Sequence, residues 1–189
     1  MIINLRPLRL LLIVISLLLI FIFMYKYTLP EVEENHLVQP EPKELYGEFL
    51  TWEEARQYFN KYSSATIMDL DTGLQFNVQR RGGSNHADVQ PLTAEDTATM
   101  KAIYNGKWSW KRRAVIVEME NGRKIAGSMN GMPHGRGAIA GNNFNGHSCI
   151  HFRDSTTHGS RKVDLTHQMM VWKAANVVEK QIKALGAED

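Results

Sequence analysis

The chain has 189 residues, with 22 Lys and Arg against 20 Asp and Glu, 43% hydrophobic content and one cysteine, Cys149. The near balance of charge excludes a strongly basic nucleic-acid binder and a solvating acidic tail, and the hydrophobic content excludes wholesale disorder. A lone cysteine excludes an internal disulfide framework and any four-cysteine zinc site.

Leu10 to Tyr25 reads LLLIVISLLLIFIFMY, with Arg6 and Arg9 before it and Lys26 after it. As a helix this run covers about 24 Å, slightly short of a hydrocarbon core, and the flanking cations can snorkel across the difference. No small-x-small cleavage pattern follows, which favours an uncleaved anchor over a signal peptide. Basic residues before the run and Glu31, Glu33 and Glu34 after it favour a cytoplasmic N-terminus. The expected organisation is a cytoplasmic segment at 1–9, a single transmembrane helix at 10–25, an extracytoplasmic Pro- and Glu-containing linker at 26–48, and one extracytoplasmic domain at 49–189. The protein would then reside in the cell membrane.

Thr51-Trp52-Glu53-Glu54 has capping-box spacing, and Trp52, Ala55, Phe59 and Tyr62 follow at helical intervals, which predicts a helix over 51–63. Residues 65–70 and 74–79 flank Asp71-Thr72-Gly73 and read as a β-hairpin. The segment Gly82-Gly83-Ser84-Asn85-His86-Ala87-Asp88 is rich in turn formers and reads as a loop, whose His86 and Asp88 are alternatively supporting residues or metal ligands. A second helix is predicted from Thr93 to Tyr104, ending before Asn105-Gly106. Residues 114–119 and 123–129 surround Asn121-Gly122 and form a second hairpin. A long helix is predicted from Asp164 or Thr166, with an apolar stripe of Val171, Ala174, Ala175, Val178, Ile182 and Leu185. The fold class is α+β: an antiparallel, sandwich-like sheet with flanking helices.

Between the second hairpin and that helix, residues 127–146 carry six glycines and four asparagines with no helical or alternating period. Long loops inside a compact domain are usually functional or disordered. This one ends in the apolar, strand-like run Cys149-Ile150-His151-Phe152, which points to an active-site loop feeding a strand near His147.

His147, Cys149 and His151 share one face of such a strand. A thiol needs a neighbouring base to become a nucleophile near neutral pH, and His134, returned by the loop, is the natural base. A cationic histidine beside the sulfur would make the thiol more acidic than a free cysteine. Backbone N–H groups near Ser148 and Cys149 would supply an oxyanion hole.

His134-Gly135 followed by Gly146-His147-Ser148-Cys149-Ile150-His151 resembles the catalytic motif of L,D-transpeptidase domains, over residues 114–175 or about a third of the chain. That family carries His-Gly, a spacer of about this length, then Ser/Thr-His-Gly-Cys, an apolar residue and Arg or Asn. Gly146, Ser148 and His151 depart from it, marking a divergent relative. The resemblance implies His134 as base, Cys149 as acyl-accepting nucleophile and His147 as a supporting pocket residue. It also implies a peptidoglycan stem peptide as substrate, for cross-linking or carboxypeptidase chemistry, with no cofactor, no metal and no nucleic acid.

Among the residues that would line the pocket are Ser148, Gly135 and His151. Arg153, Arg161 and Lys162 are candidates for binding substrate carboxylates. Trp108 and Trp110, with Lys111, Arg112 and Arg113 beyond them, are either a stacking and basic patch or core anchors. Two other functions fit the same residues. A zinc-dependent wall peptidase or amidase would draw ligands from His86, Asp88, His134, His147, His151 and His158, although no HExxH is present. A wall-binding module with a degenerate site would tolerate the changes at Ser148 and His151.

Overall fold

The structure, a computed structural model, describes residues 45–177 together with Ser16 and Phe23. The chain divides into units 1–39 and 40–189, and the sheet and its helices belong to the second. Apart from Ser16 and Phe23, the expected anchor at 10–25 lies outside the described residues, as do most of the linker and Val178, Ile182 and Leu185. Among the described residues no helix is long and apolar enough to cross a membrane.

Helix α1, Trp52–Tyr58, starts at the expected capping box: Thr51 Oγ1 accepts from the Glu54 amide, and Glu54 Oε2 accepts from the Thr51 amide. It stops short of residue 63 because Tyr62 takes a positive φ of 72° and its amide bonds to Arg80 O, which turns the chain into the sheet. Strands β1, Ser64–Asp69, and β2, Gln75–Gly82, form the first hairpin, with Asp69 Oδ2 accepting from the Thr72 amide and hydroxyl in the turn. Strand β3 is Ala87–Pro91, helix α2 is Ala94–Ile103, and strands β4, Arg113–Met119, and β5, Lys124–Met129, form the second hairpin. Strand β6, Ser148–His151, and helix α3, Leu165–Ala175, complete the order.

The α+β, antiparallel reading holds, but the sheet is a closed barrel in the order β1-β2-β3-β6-β5-β4 rather than a sandwich. Closure comes from β1 pairing with β4, Ile67 opposite Val117. Such pairing between strands far apart in sequence leaves no local signature. The loop reading of residues 82–88 holds for 83–86 and is corrected at its ends, since Gly82 closes β2. Ala87 opens β3, paired on one side to β2 across a bulge at Arg80 and Gly82 and on the other to β6, with Asp88 opposite Cys149.

Alternation along the strands divides two cores. Ile67, Phe76, Val78, Val89, Val117, Ile125 and Ile150 cluster with Trp52 from α1, Phe59 at its C-terminal cap, and Met100 and Ile103 from α2. Ala114, Ile116 and Ala126, from the other face of β4 and β5, pack on Val171, Ala174 and Ala175 of α3. Helix α3 ends at Asn176, left-handed at φ 53°. Beside α3 on the outer face, β3 and β6 bring up His86, Asp88, Cys149 and His151.

Candidate active site

The loop between β5 and β6 is closed by main chain. The His134 amide donates to His147 O at 3.0 Å, and the His147 amide donates to His134 O at 2.8 Å. Gly146, at φ 130°, permits this approach, since a Cβ there would sit 2.5 Å from His134 O. Gly135, at φ 62°, lies flush against the His147 ring. Further out, Gln90 Oε1 accepts from the Ala138 and Ile139 amides, while buried Asn142 donates to Pro91 O and accepts from the Phe144 amide. These bonds give the glycine-rich segment a defined path.

That path puts the His134 ring against the sulfur, with Nε2 3.2 Å from Cys149 Sγ. His134 Nδ1 is 2.8 Å from Met132 O. A carbonyl only accepts, so Nδ1 carries the proton and the Nε2 lone pair of the neutral ring faces the thiol. Cys149 is 4% exposed. Burial first, and the Asp88 carboxylate second, push its thiol far above the free value, while burial pulls His134 down. The expected acidic thiol is therefore corrected: the resting pair is a neutral S–H facing a neutral imidazole, because burial keeps the base uncharged and an anion flanks the sulfur.

Asp88 Oδ1 lies 3.4 Å from His86 Nε2, 3.1 Å from His158 Nε2 and 3.8 Å from His147 Nε2. Its charge is also 4.0 Å from Sγ. Burial raises the Asp88 carboxyl, but the hydrogen bond from His86 and the surrounding histidines bring it below its ordinary value on balance. His86 Nδ1 donates to Thr156 O at 2.6 Å, and His147 Nδ1 lies 3.2 Å from Arg136 O. Trp110, half exposed, flanks the His134 ring at 5.1 Å between centroids.

Other expected residues are placed elsewhere. His151 shares the strand face but is buried between His86 and His167, at centroid distances of 4.3 and 3.7 Å. Burial drives its imidazole well down, so it is a packing residue and not a pocket wall. Ser148 is fully buried and donates its hydroxyl to Asn130 O at 2.5 Å, which leaves only its backbone for an oxyanion role. Arg153 pairs with Glu54 and Asp154 beside α1, away from the thiol. Arg161 and Lys162 sit in an exposed turn, and Trp108 packs edge-on against Phe144 at the core. Arg112 and Arg113 are taken by Asp164 and Asp69. Of the two readings of Asp88, a loop residue or a member of the site, the structure places it in the site beside the sulfur. The alternation of His86, Asp88 and Gln90 with Ala87 and Val89 is the signal that points to it.

No family model matches the chain, and neither a curated protein nor a solved structure matches it.

Proposed function

We propose that the domain is a cysteine-dependent acyl transferase acting on peptides. The observation that carries this reading is the contact of His134 Nε2 with Cys149 Sγ at 3.2 Å, with the opposite nitrogen bonded to Met132 O. Nucleophile, base and orienting acceptor are in line, the arrangement that cysteine acyl transfer needs.

In this mechanism Cys149 Sγ attacks a substrate carbonyl as its proton moves to His134 Nε2. Transfer in step with attack suits a thiol that burial and Asp88 keep protonated at rest. The tetrahedral adduct collapses, its C–N bond breaks, and the imidazolium returns the proton to the departing amine. The resulting thioester is cleaved by an incoming amine or by water, with His134 accepting the proton of the attacking group and Cys149 leaving as the thiol. Trp110 offers a flat apolar wall beside the base for the substrate chain.

The resemblance of His134-Gly135 and His147 to Ile150 to the L,D-transpeptidase motif makes a peptidoglycan stem peptide the proposed substrate. The apolar run at 10–25 makes a membrane-anchored, extracytoplasmic setting the proposed location. Intact-mass measurement after incubation with a carbapenem or a wall peptide tests the reading. A covalent adduct on wild type that is missing from Cys149→Ala supports it. Product formation by Cys149→Ala rejects it.

A further inference from the structure

Histidine nitrogens and a carboxylate crowd the sulfur. The Nδ1–H groups of His86 and His134 are bonded to the carbonyls of Thr156 and Met132. His147 Nδ1 faces the carbonyl of Arg136 in the same way. Each of the three rings therefore turns its Nε2 inward, toward the sulfur or Asp88. His86 Nε2 and Asp88 Oδ1 both face His158 Nε2, at 2.9 and 3.1 Å, and that nitrogen has one proton to give. His147 Nε2 is buried without a hydrogen-bond partner and faces Asp88 Oδ1 at 3.8 Å. Nitrogen, carboxylate and sulfur atoms thus converge on one small volume, as the ligands of a metal site do.

We propose that His86 Nε2, Asp88 Oδ1, His158 Nε2 and Cys149 Sγ form a binding site for a divalent transition-metal ion of the zinc class. These four atoms lie within 4.8 Å of one another. Four of the six edges are 2.9, 3.1, 3.4 and 4.0 Å. A tetrahedron built on bonds of about 2.0–2.3 Å has edges of about 3.3–3.7 Å, so small side-chain adjustments seat the ion. The donor set of two imidazoles, a thiolate and a carboxylate is that of a borderline-soft metal. The Thr156 carbonyl fixes the tautomer of His86, as the outer partners of metal-bound histidines do. One carboxylate and one thiolate cancel the charge of the ion, so the filled site is neutral.

The functional consequence rests on the acyl-transfer reading. Binding takes the thiol proton, which leaves through His134 to solvent, and moves the His158 proton to Nδ1. The sulfur is then a ligand and no longer a free nucleophile. The metal thus holds the enzyme in a closed state, and its removal releases Cys149 to its base.

Cobalt(II) titration of chelator-stripped full-length protein tests the site. The expected result is one Co2+ per chain, with the visible bands of tetrahedral cobalt and a thiolate-to-cobalt charge-transfer band in the near ultraviolet. Cys149→Ser should lose the charge-transfer band. His158→Ala and Asp88→Asn should weaken binding by about tenfold or more; the half-exposed His158 side chain makes its variant safe for the fold. Absence of the charge-transfer band in wild type, or its persistence unchanged in His158→Ala, overturns the proposal. One equivalent of Zn2+ should also suppress the carbapenem adduct, and chelator should restore it; an adduct rate indifferent to Zn2+ overturns the closed state. If metal-free protein never forms an adduct while the cobalt bands appear as described, the site stands and the acyl-transfer reading fails.

Discussion

The rings of His151 and His167 lie face to face, 3.7 Å between centroids and 7° from parallel, with Ser128 Oγ 2.8 Å from His167 Nδ1. Strand β6 and helix α3 are thus joined by two buried imidazoles, and charging either one places a cation against its neighbour. Burial first, and Arg112 second, push His167 down to about 3. The unfolded ring takes its proton near 6.5, so between these values the unfolded chain binds more protons and stability falls with falling pH. The contribution is complete above about pH 6.5. At pH 5 the cost reaches about 2 kcal/mol for this ring, with His151 adding in the same direction. Urea midpoints at pH 7 and pH 5 measure it. His167→Asn should flatten the difference, and equal midpoints in the wild type would show the ring to be unperturbed.

Cys149→Ala and His134→Ala should each abolish carbapenem adduct formation, and the double variant should be no worse, because nucleophile and base act as one unit. His147→Ala should slow the reaction without stopping it. His151→Ala, by contrast, should cost about 2 kcal/mol or more of stability, since it empties a stack between His86 and His167. Adduct rate and denaturation midpoint, measured on the same samples, separate these two classes.

Gly146→Ala tests the closure of the loop. Its φ of 130° and the crowding against His134 O mean that a methyl group must part the His134–His147 bridge. Adduct formation should fall about 100-fold or more, the scale expected when a base moves by about an ångström. Gly141→Ala, also at positive φ (77°) but with open space around it, should lose about 1–2 kcal/mol of stability and keep its rate. Equal effects on rate would refute a special role for the bridge.

Asp69 is fully buried and accepts from Arg113 Nε at 2.8 Å, from Arg113 Nη2 at 2.5 Å and from Thr72. It ties the first hairpin to β4 at the seam of the barrel. Asp69→Ala leaves the guanidinium without its buried partner and should cost about 3–5 kcal/mol. Equilibrium unfolding in urea reads this directly, and a loss below about 1 kcal/mol would place the pair among ordinary surface bridges.

The elements legible in the sequence are those written in neighbouring residues. Thr51 and Glu54 cap α1 through their own contacts, and Asp71-Thr72-Gly73 and Asn121-Gly122 make tight turns between strands that pair at once. His134 and Cys149 were legible for a related reason, since glycines beside His134 and before His147 marked a return of the chain. Strand β3 was hidden because its turn formers dominate locally, while its partner β6 begins some sixty residues later. The same distance left open whether Asp88 caps a loop or joins the site, and with it the state of the thiol. Counting histidines near Cys149 suggested positive charge, but charge depends on burial and on the facing anion, neither of which sequence spacing carries.

The reciprocal amide bonds of His134 and His147 turn residues 135–146 into a closed bight tied at its neck. Gln90 grips it at Ala138 and Ile139, and the bend at Gly141 lies beyond that grip, facing open space. The bend is pinned again at Asn142, which donates to Pro91 O, so a side chain added at Gly141 changes the surface while the neck keeps its register.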